Sequence, residues 1–128
     1  MNIYRFDQEV GKPIDRFGSQ HVYITPIMRV IERNIGIVQV ACMHLLAGGI
    51  IGGHEAATAQ LFIVVAGEGW VSGTNSSKIP IQAGQLAYWK SGEWHEASTE
   101  QGMTAIVIES DQLEPIELLQ EISMEKNE

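Results

Sequence analysis

From Val22 to Glu109 the chain is a succession of short, closely spaced stretches, many rich in Val and Ile, with glycine-bearing turns between most of them. Strands are expected at Val22–Pro26, Met28–Arg33, Ile37–Leu46, Gln60–Ala66, Gly69–Ser72, Lys78–Ile81, Gln85–Trp89, His95–Ser98 and Met103–Glu109. Between them stand Asn34-Ile35-Gly36, Gly48-Gly49, Gly67-Glu68-Gly69, the run from Gly73 to Ser77, and Ser91-Gly92. These residue types supply the backbone angles of tight turns. Eight or more short strands in close succession fold as an antiparallel sandwich or barrel. Several strands, such as Leu61-Phe62-Ile63-Val64-Val65, do not alternate with polar residues. Both of their faces are expected to be covered: one by the opposing sheet, the other by a terminal segment or a second subunit.

Composition narrows the class. With 128 residues, 45% of them hydrophobic and 19% charged, the chain is globular and of a size for one domain. Its formal charge of −8 comes from 16 acids against 8 bases. The seven acids Glu109, Asp111, Glu114, Glu117, Glu121, Glu125 and Glu128 lie in the last stretch beside one base, Lys126, so the body is nearly neutral. We therefore read the acidity as one solvated segment. Clustered Lys and Arg of the kind that bind phosphates are missing, which argues against nucleic acid and against an anionic membrane as partners.

The uncharged run from Asn34 to Gly53 has the length of a membrane span. Four glycines at its end, with Gln39 and His44 inside it, favour a strand entering a glycine-rich turn instead. One cysteine, Cys42, excludes an internal disulfide and fits a reducing compartment. The first residues lack the apolar core of a signal peptide, so the cytoplasm is the expected location. Leu113, Ile116, Leu118, Leu119 and Ile122 recur at helical spacing among glutamates. This pattern divides the chain into a barrel over residues 1–112 and an acidic, amphipathic helical segment over 113–128. The two-sided apolar strands and this tail together predict a homodimer.

Four histidines could carry chemistry: His21, His44, His54 and His95. His54 follows Gly52-Gly53, and His95 follows Ser91-Gly92-Glu93-Trp94. Gln60 is an even number of residues beyond His54, so a continuous strand would place both on one face. Two imidazoles and an amide oxygen make a three-point site for a divalent ion if the fold unites them. His44 shares its parity with Val38, Val40, Cys42 and Leu46, an apolar set expected to face the interior. On that basis His44 and Cys42 are expected to line a pocket, with Trp94 at its edge. Nucleophile elbows, P-loops and dinucleotide fingerprints do not occur in the sequence.

The stretch from Gly48 to Thr99 resembles the two sequence motifs of the cupin superfamily. In the first, G-x5-H-x-H-x3,4-E-x6-G, Gly48 and His54 match, Ala56 takes the place of the second histidine, Gln60 that of the glutamate, and Gly67 closes the motif. In the second, G-x5-P-x-G-x2-H-x3-N, Gly84, Gly92 and His95 match, while Lys90 and Thr99 replace the proline and the asparagine. The resemblance implies an all-β, double-stranded β-helix (jelly-roll) barrel with its site inside, here followed by a short C-terminal helix. It also implies a metal held by His54, Gln60 and His95, with Fe, Mn, Ni, Cu and Zn not distinguished. Ala56 cannot ligate, and Gln60 brings no negative charge, so this set should hold a metal more weakly than a full four-ligand site. Two functions follow as expectations. One is an enzyme of oxygenase, isomerase or decarboxylase type acting on a small organic molecule. The other is a non-catalytic small-ligand binding or sensing module without metal.

Overall fold

The computed structural model describes residues 1, 4–32, 36–75, 77–115 and 121–122. Among them are eight strands: β1 (Lys12–Pro13), β2 (Gln20–Glu32), β3 (Gly36–Glu55), β4 (Ala59–Ser72), β5 (Ile79–Gln82), β6 (Leu86–Trp89), β7 (Trp94–Ser98) and β8 (Met103–Ser110). Single 3-10 turns at Gln8–Val10 and Arg16–Gly18 precede β2. Every pairing is antiparallel.

Two long strands organise the barrel. The first half of β3 pairs with β2 and β8, and its second half pairs with β7. The first half of β4 pairs with β6 and β8, and its second half with β5 and β7. Each long strand thus passes from one sheet into the other and closes the barrel. This corrects the expectation of turns at Gly48-Gly49 and Gly67-Glu68-Gly69, where the strands bend but continue. The physical reason is visible at Gly67. Its φ of 77° lies in the left-handed region, and a Cβ there would overlap the carbonyl of Gly102. Glycine lets the strand swing without losing its partner. Similarly, the strands expected at Val22–Pro26 and Met28–Arg33 fall, over their described residues up to Glu32, in one strand with a bulge between Pro26 and Met28.

Residues opposite one another in an antiparallel pair share a face. Leu45 opposite Met103, Met43 opposite Ala105, and Phe62 opposite Val107 define the inner face. With Val22, Val64 and Trp89 they form the buried core. Cys42 lies opposite Thr25 and Ile106, and His44 lies opposite Tyr23 and Thr104. Both therefore face outward, contrary to the expectation that they line a pocket. Both faces of β3 are apolar in this stretch, so parity alone could not choose between them. The N-terminal segment covers this patch. His44 Nε2 donates to the Phe6 carbonyl at 3.0 Å, and Thr25 Oγ1 donates to the Asp7 carbonyl at 3.2 Å. Cys42 is fully buried beneath it.

Thr99, in the motif's asparagine place, staples the turn before β8. Its hydroxyl donates to the Glu68 carbonyl at 2.6 Å and accepts from Gly102 N at 3.0 Å. The helix expected over the C-terminal segment 113–128 falls largely on residues 116–120 and 123–128, outside those described. Among the described residues no helix is long and apolar enough to cross a membrane.

Candidate functional site

The two histidines that the sequence singles out meet. His54 and His95 are direct cross-strand partners on β3 and β7, with ring centroids 4.3 Å apart. The loops that present them are tied together. Ala56 N donates to the Glu93 carbonyl at 2.9 Å, and Gly92 N donates to the Ala56 carbonyl at 2.8 Å. Ala56 itself is buried in this junction. The position where the motif has its second histidine thus acts here as a packing residue.

Each imidazole is oriented by a carbonyl two residues before it. His54 Nδ1 lies 2.8 Å from the Gly52 carbonyl, and His95 Nδ1 lies 3.5 Å from that of Glu93. A carbonyl only accepts, so the shared proton sits on Nδ1 and leaves Nε2 as the open lone pair. The His95 contact is the longer and weaker of the two. His95 is 5% exposed, and burial pushes it down from 6.5 to about 4, with the neighbouring His54 adding to the effect. At neutral pH His95 is an uncharged imidazole, the form that can ligate a metal or accept a hydrogen bond.

Gln60 lies near the start of β4. It is opposite Trp89 on β6 and Glu109 on β8, and the Trp89 ring packs 4.9 Å from that of His95. Trp89 is thus both the strand partner of Gln60 and a ring neighbour of His95. Gln60 Nε2 donates to Glu109 Oε1 at 2.8 Å, which turns the amide oxygen away from that carboxylate. Glu109 is the residue that the sequence pattern misplaced. Grouped there with a solvated acidic tail, it is half-buried at the end of β8, on the face that carries Met103, Ala105 and Val107. The alternation of that strand was the available signal. Among the described residues, no three His, Cys, Asp or Glu side chains are grouped to hold a metal ion. A three-point set would need the Gln60 amide.

Trp94, expected at the pocket edge, is opposite Glu55, one residue out of phase with the histidines. It faces away from them and lies over Gly53, where a Cβ would overlap its ring. Its place beside His54 is taken by Phe17, which no sequence pattern selects. The Phe17 ring stacks on His54 at 3.9 Å with an interplanar angle of 7°. A cleft of about 460 Å³ on another part of the surface, lined by Glu68, Trp70, Pro80, Gln82 and Glu100 among others, contains no histidine.

No family model matches the chain, and no curated protein matches it. Solved structures do. One from Photorhabdus luminescens superposes with a TM-score of 0.67 at 15% identity, covering 88% of this chain and 90% of its own. An RmlC-like cupin from Shewanella frigidimarina gives a TM-score of 0.65 at 18% identity, over 80% of this chain and 86% of its own. The chain has the cupin fold. A third cupin-fold structure, from Thermotoga maritima and described as a predicted oxalate decarboxylase, has a TM-score of 0.64 at 18% identity. It covers 84% of this chain and 98% of its own. At such identities the likeness speaks for the cupin barrel alone, and the chemistry must come from the residues at its rim.

Proposed function

We propose that this cupin-fold protein binds a small organic molecule at the rim of its barrel, on a paired-imidazole site that takes up a divalent transition metal. The observation that carries the reading is the His54–His95 pair, with both Nδ1 atoms turned to backbone carbonyls and both Nε2 atoms left open. Ligating histidines are characteristically held in this way through their other ring nitrogen. The donor set fits such an ion: two neutral imidazoles, with the Gln60 amide oxygen as the third candidate. A bound ion would act as a Lewis acid, polarising an oxygen of the ligand. The chain's own residues do the rest. His95 stays uncharged at neutral pH, and Gln60 is oriented by Glu109.

The test is metal content of the tag-free protein after supplementation with Co²⁺ or Fe²⁺, repeated on His54→Ala and His95→Ala. One ion per chain, lost in both variants, is the expected result. Retention in both variants would move the site elsewhere. A metal-free wild type would remove the metal and leave the second reading, a binding or sensing module in which the imidazoles hydrogen-bond the ligand. Among the described residues no charged side chain joins the histidine pair as a third ligand, which favours that reading.

We also propose that the chain works in the cytoplasm as a homodimer. Val40, Leu61, Ile63, Ile106 and Ile108 lie on the outward face, half-exposed, and a second copy would cover them. Light scattering at micromolar concentration should give twice the chain mass. A monomer there would reject the dimer.

A further inference from the structure

Phe17 combines three properties that seldom occur together. Its backbone is left-handed, at φ 59° and ψ 27°, where residues with a Cβ are disfavoured. The residue is 54% exposed, so burial holds it only weakly. Yet its ring lies flat against one particular side chain, the His54 imidazole, at 3.9 Å. An exposed aromatic ring on a strained backbone is a poor device for stabilising a barrel, and Phe17 lies outside the buried core cluster. Strain of this kind gathers where a geometry is needed for a site.

The connection runs through Gly52. The Phe17 carbonyl occupies the space a Cβ on Gly52 would fill, and Gly52 N donates to the buried Ser19 Oγ at 3.1 Å. Ser19 N in turn donates to the Arg16 carbonyl at 2.9 Å, closing the turn that carries Phe17. The Gly52 carbonyl, on its other side, accepts from His54 Nδ1. One residue thus anchors both the turn and the imidazole. A ring held by a single hydrogen bond can still tilt about it. A second ring parallel to it removes that freedom and shields one face from water.

We propose that Phe17 is a positioning residue for His54. Its ring fixes the plane of that imidazole, and with it the direction of Nε2 relative to His95, so that Phe17 serves the site and not the fold. The inference rests on the paired-imidazole reading above, and its test separates the two.

Two variants divide the roles of backbone and ring. Phe17→Gly suits the left-handed backbone and removes the ring. Phe17→Tyr keeps the ring on the same backbone. In the metal-free protein, ¹⁵N–¹H spectra of histidine side chains report the tautomer and order of His54. Phe17→Gly should shift and broaden the His54 signals while its denaturant midpoint stays at or above the wild-type value. Phe17→Tyr should leave both unchanged. Co²⁺ titration should then show affinity weakened about tenfold in Phe17→Gly, the scale on which orienting partners of metal-ligating histidines act. Phe17→Tyr should stay within about twofold on the same grounds. Wild-type His54 signals in Phe17→Gly would overturn the proposal. A large loss of stability in that variant would also overturn it, because the ring would then serve the fold. If no form of the protein binds Co²⁺, the metal reading falls, while the His54 signals still decide the role of Phe17.

Discussion

His95 makes stability depend on pH in a window set by its own environment. Burial and the nearby His54 lower its pKa from 6.5 to about 4, and Glu93 acts weakly in the opposite sense. A depressed value means that the folded state prefers the neutral ring. Between pH 6.5 and about 4 the unfolded chain binds more protons at this residue than the folded one, so stability rises with pH there. The contribution is fully present above the unfolded value and is lost as the pH falls through the folded one. Each pH unit separating the two values is worth about 1.4 kcal/mol, so the whole loss is about 3 kcal/mol, of which about 2.5 kcal/mol is gone by pH 4.5. The chain carries further acids and histidines, so the measurement must be a difference. Urea unfolding of the wild type and of His95→Gln, with chelator present, should be compared at pH 7.0, 5.5 and 4.5. The wild type should lose about 2–3 kcal/mol more than the variant across that range. Parallel curves for the two proteins would show that His95 is hydrated and ordinary, and the buried-imidazole argument would fall with it.

Three other joints can be tested by substitution. Gln60→Glu would set a second carboxylate against Glu109, where an amide now donates at 2.8 Å. It should destabilise the protein by about 1–2 kcal/mol at pH 7, with stability recovering as the pH is lowered and one carboxyl takes up a proton. Adding Glu109→Gln should restore the thermal midpoint. Thr99→Val removes the buried hydroxyl bonded to Glu68 and Gly102, leaving the Gly102 N–H without its partner. A loss of about 1–3 kcal/mol in denaturant unfolding is expected. Gly52→Ala would place a methyl on the Phe17 carbonyl. The 16–18 turn should be displaced, seen as changed Phe17 and His54 side-chain signals, while far-ultraviolet circular dichroism stays that of a β protein.

The strands were legible because their signal is local. The expected bounds of β5 to β8 hold to within one residue, because short stretches there are set apart by glycine-bearing turns at Gly73, Gly84, Gly92 and Gly102. The same signal failed at Gly48 and Gly67, where glycine bends a strand without ending it. Both residues have positive φ, as turn glycines do. What distinguishes them is the partner strand that continues alongside, and that is a non-local fact. A single strand's parity is likewise ambiguous when both of its faces are apolar. For β3 only the pairing of Cys42 with Thr25, beneath the N-terminal segment, shows which side is outside.

The candidate site was legible only in its histidines, and the reason is physical. Gly92 marks the turn before His95, and His54 lies at the end of β3, so their meeting follows once these two strand ends pair. Glu109 belongs to the site by the alternation of β8, a signal masked by the acidic residues that follow it. Phe17 has no such signal. It lies on a single turn before the barrel begins, and its relation to His54 depends on close contact with Gly52, a residue distant in sequence. Residues placed by periodicity can be read from a chain. Those placed by steric fit against a backbone elsewhere cannot. That asymmetry makes Gly52→Ala and Phe17→Gly complementary: the first disturbs the fit and the second the ring. If Phe17 acts through its ring alone, both should give the same disordered His54.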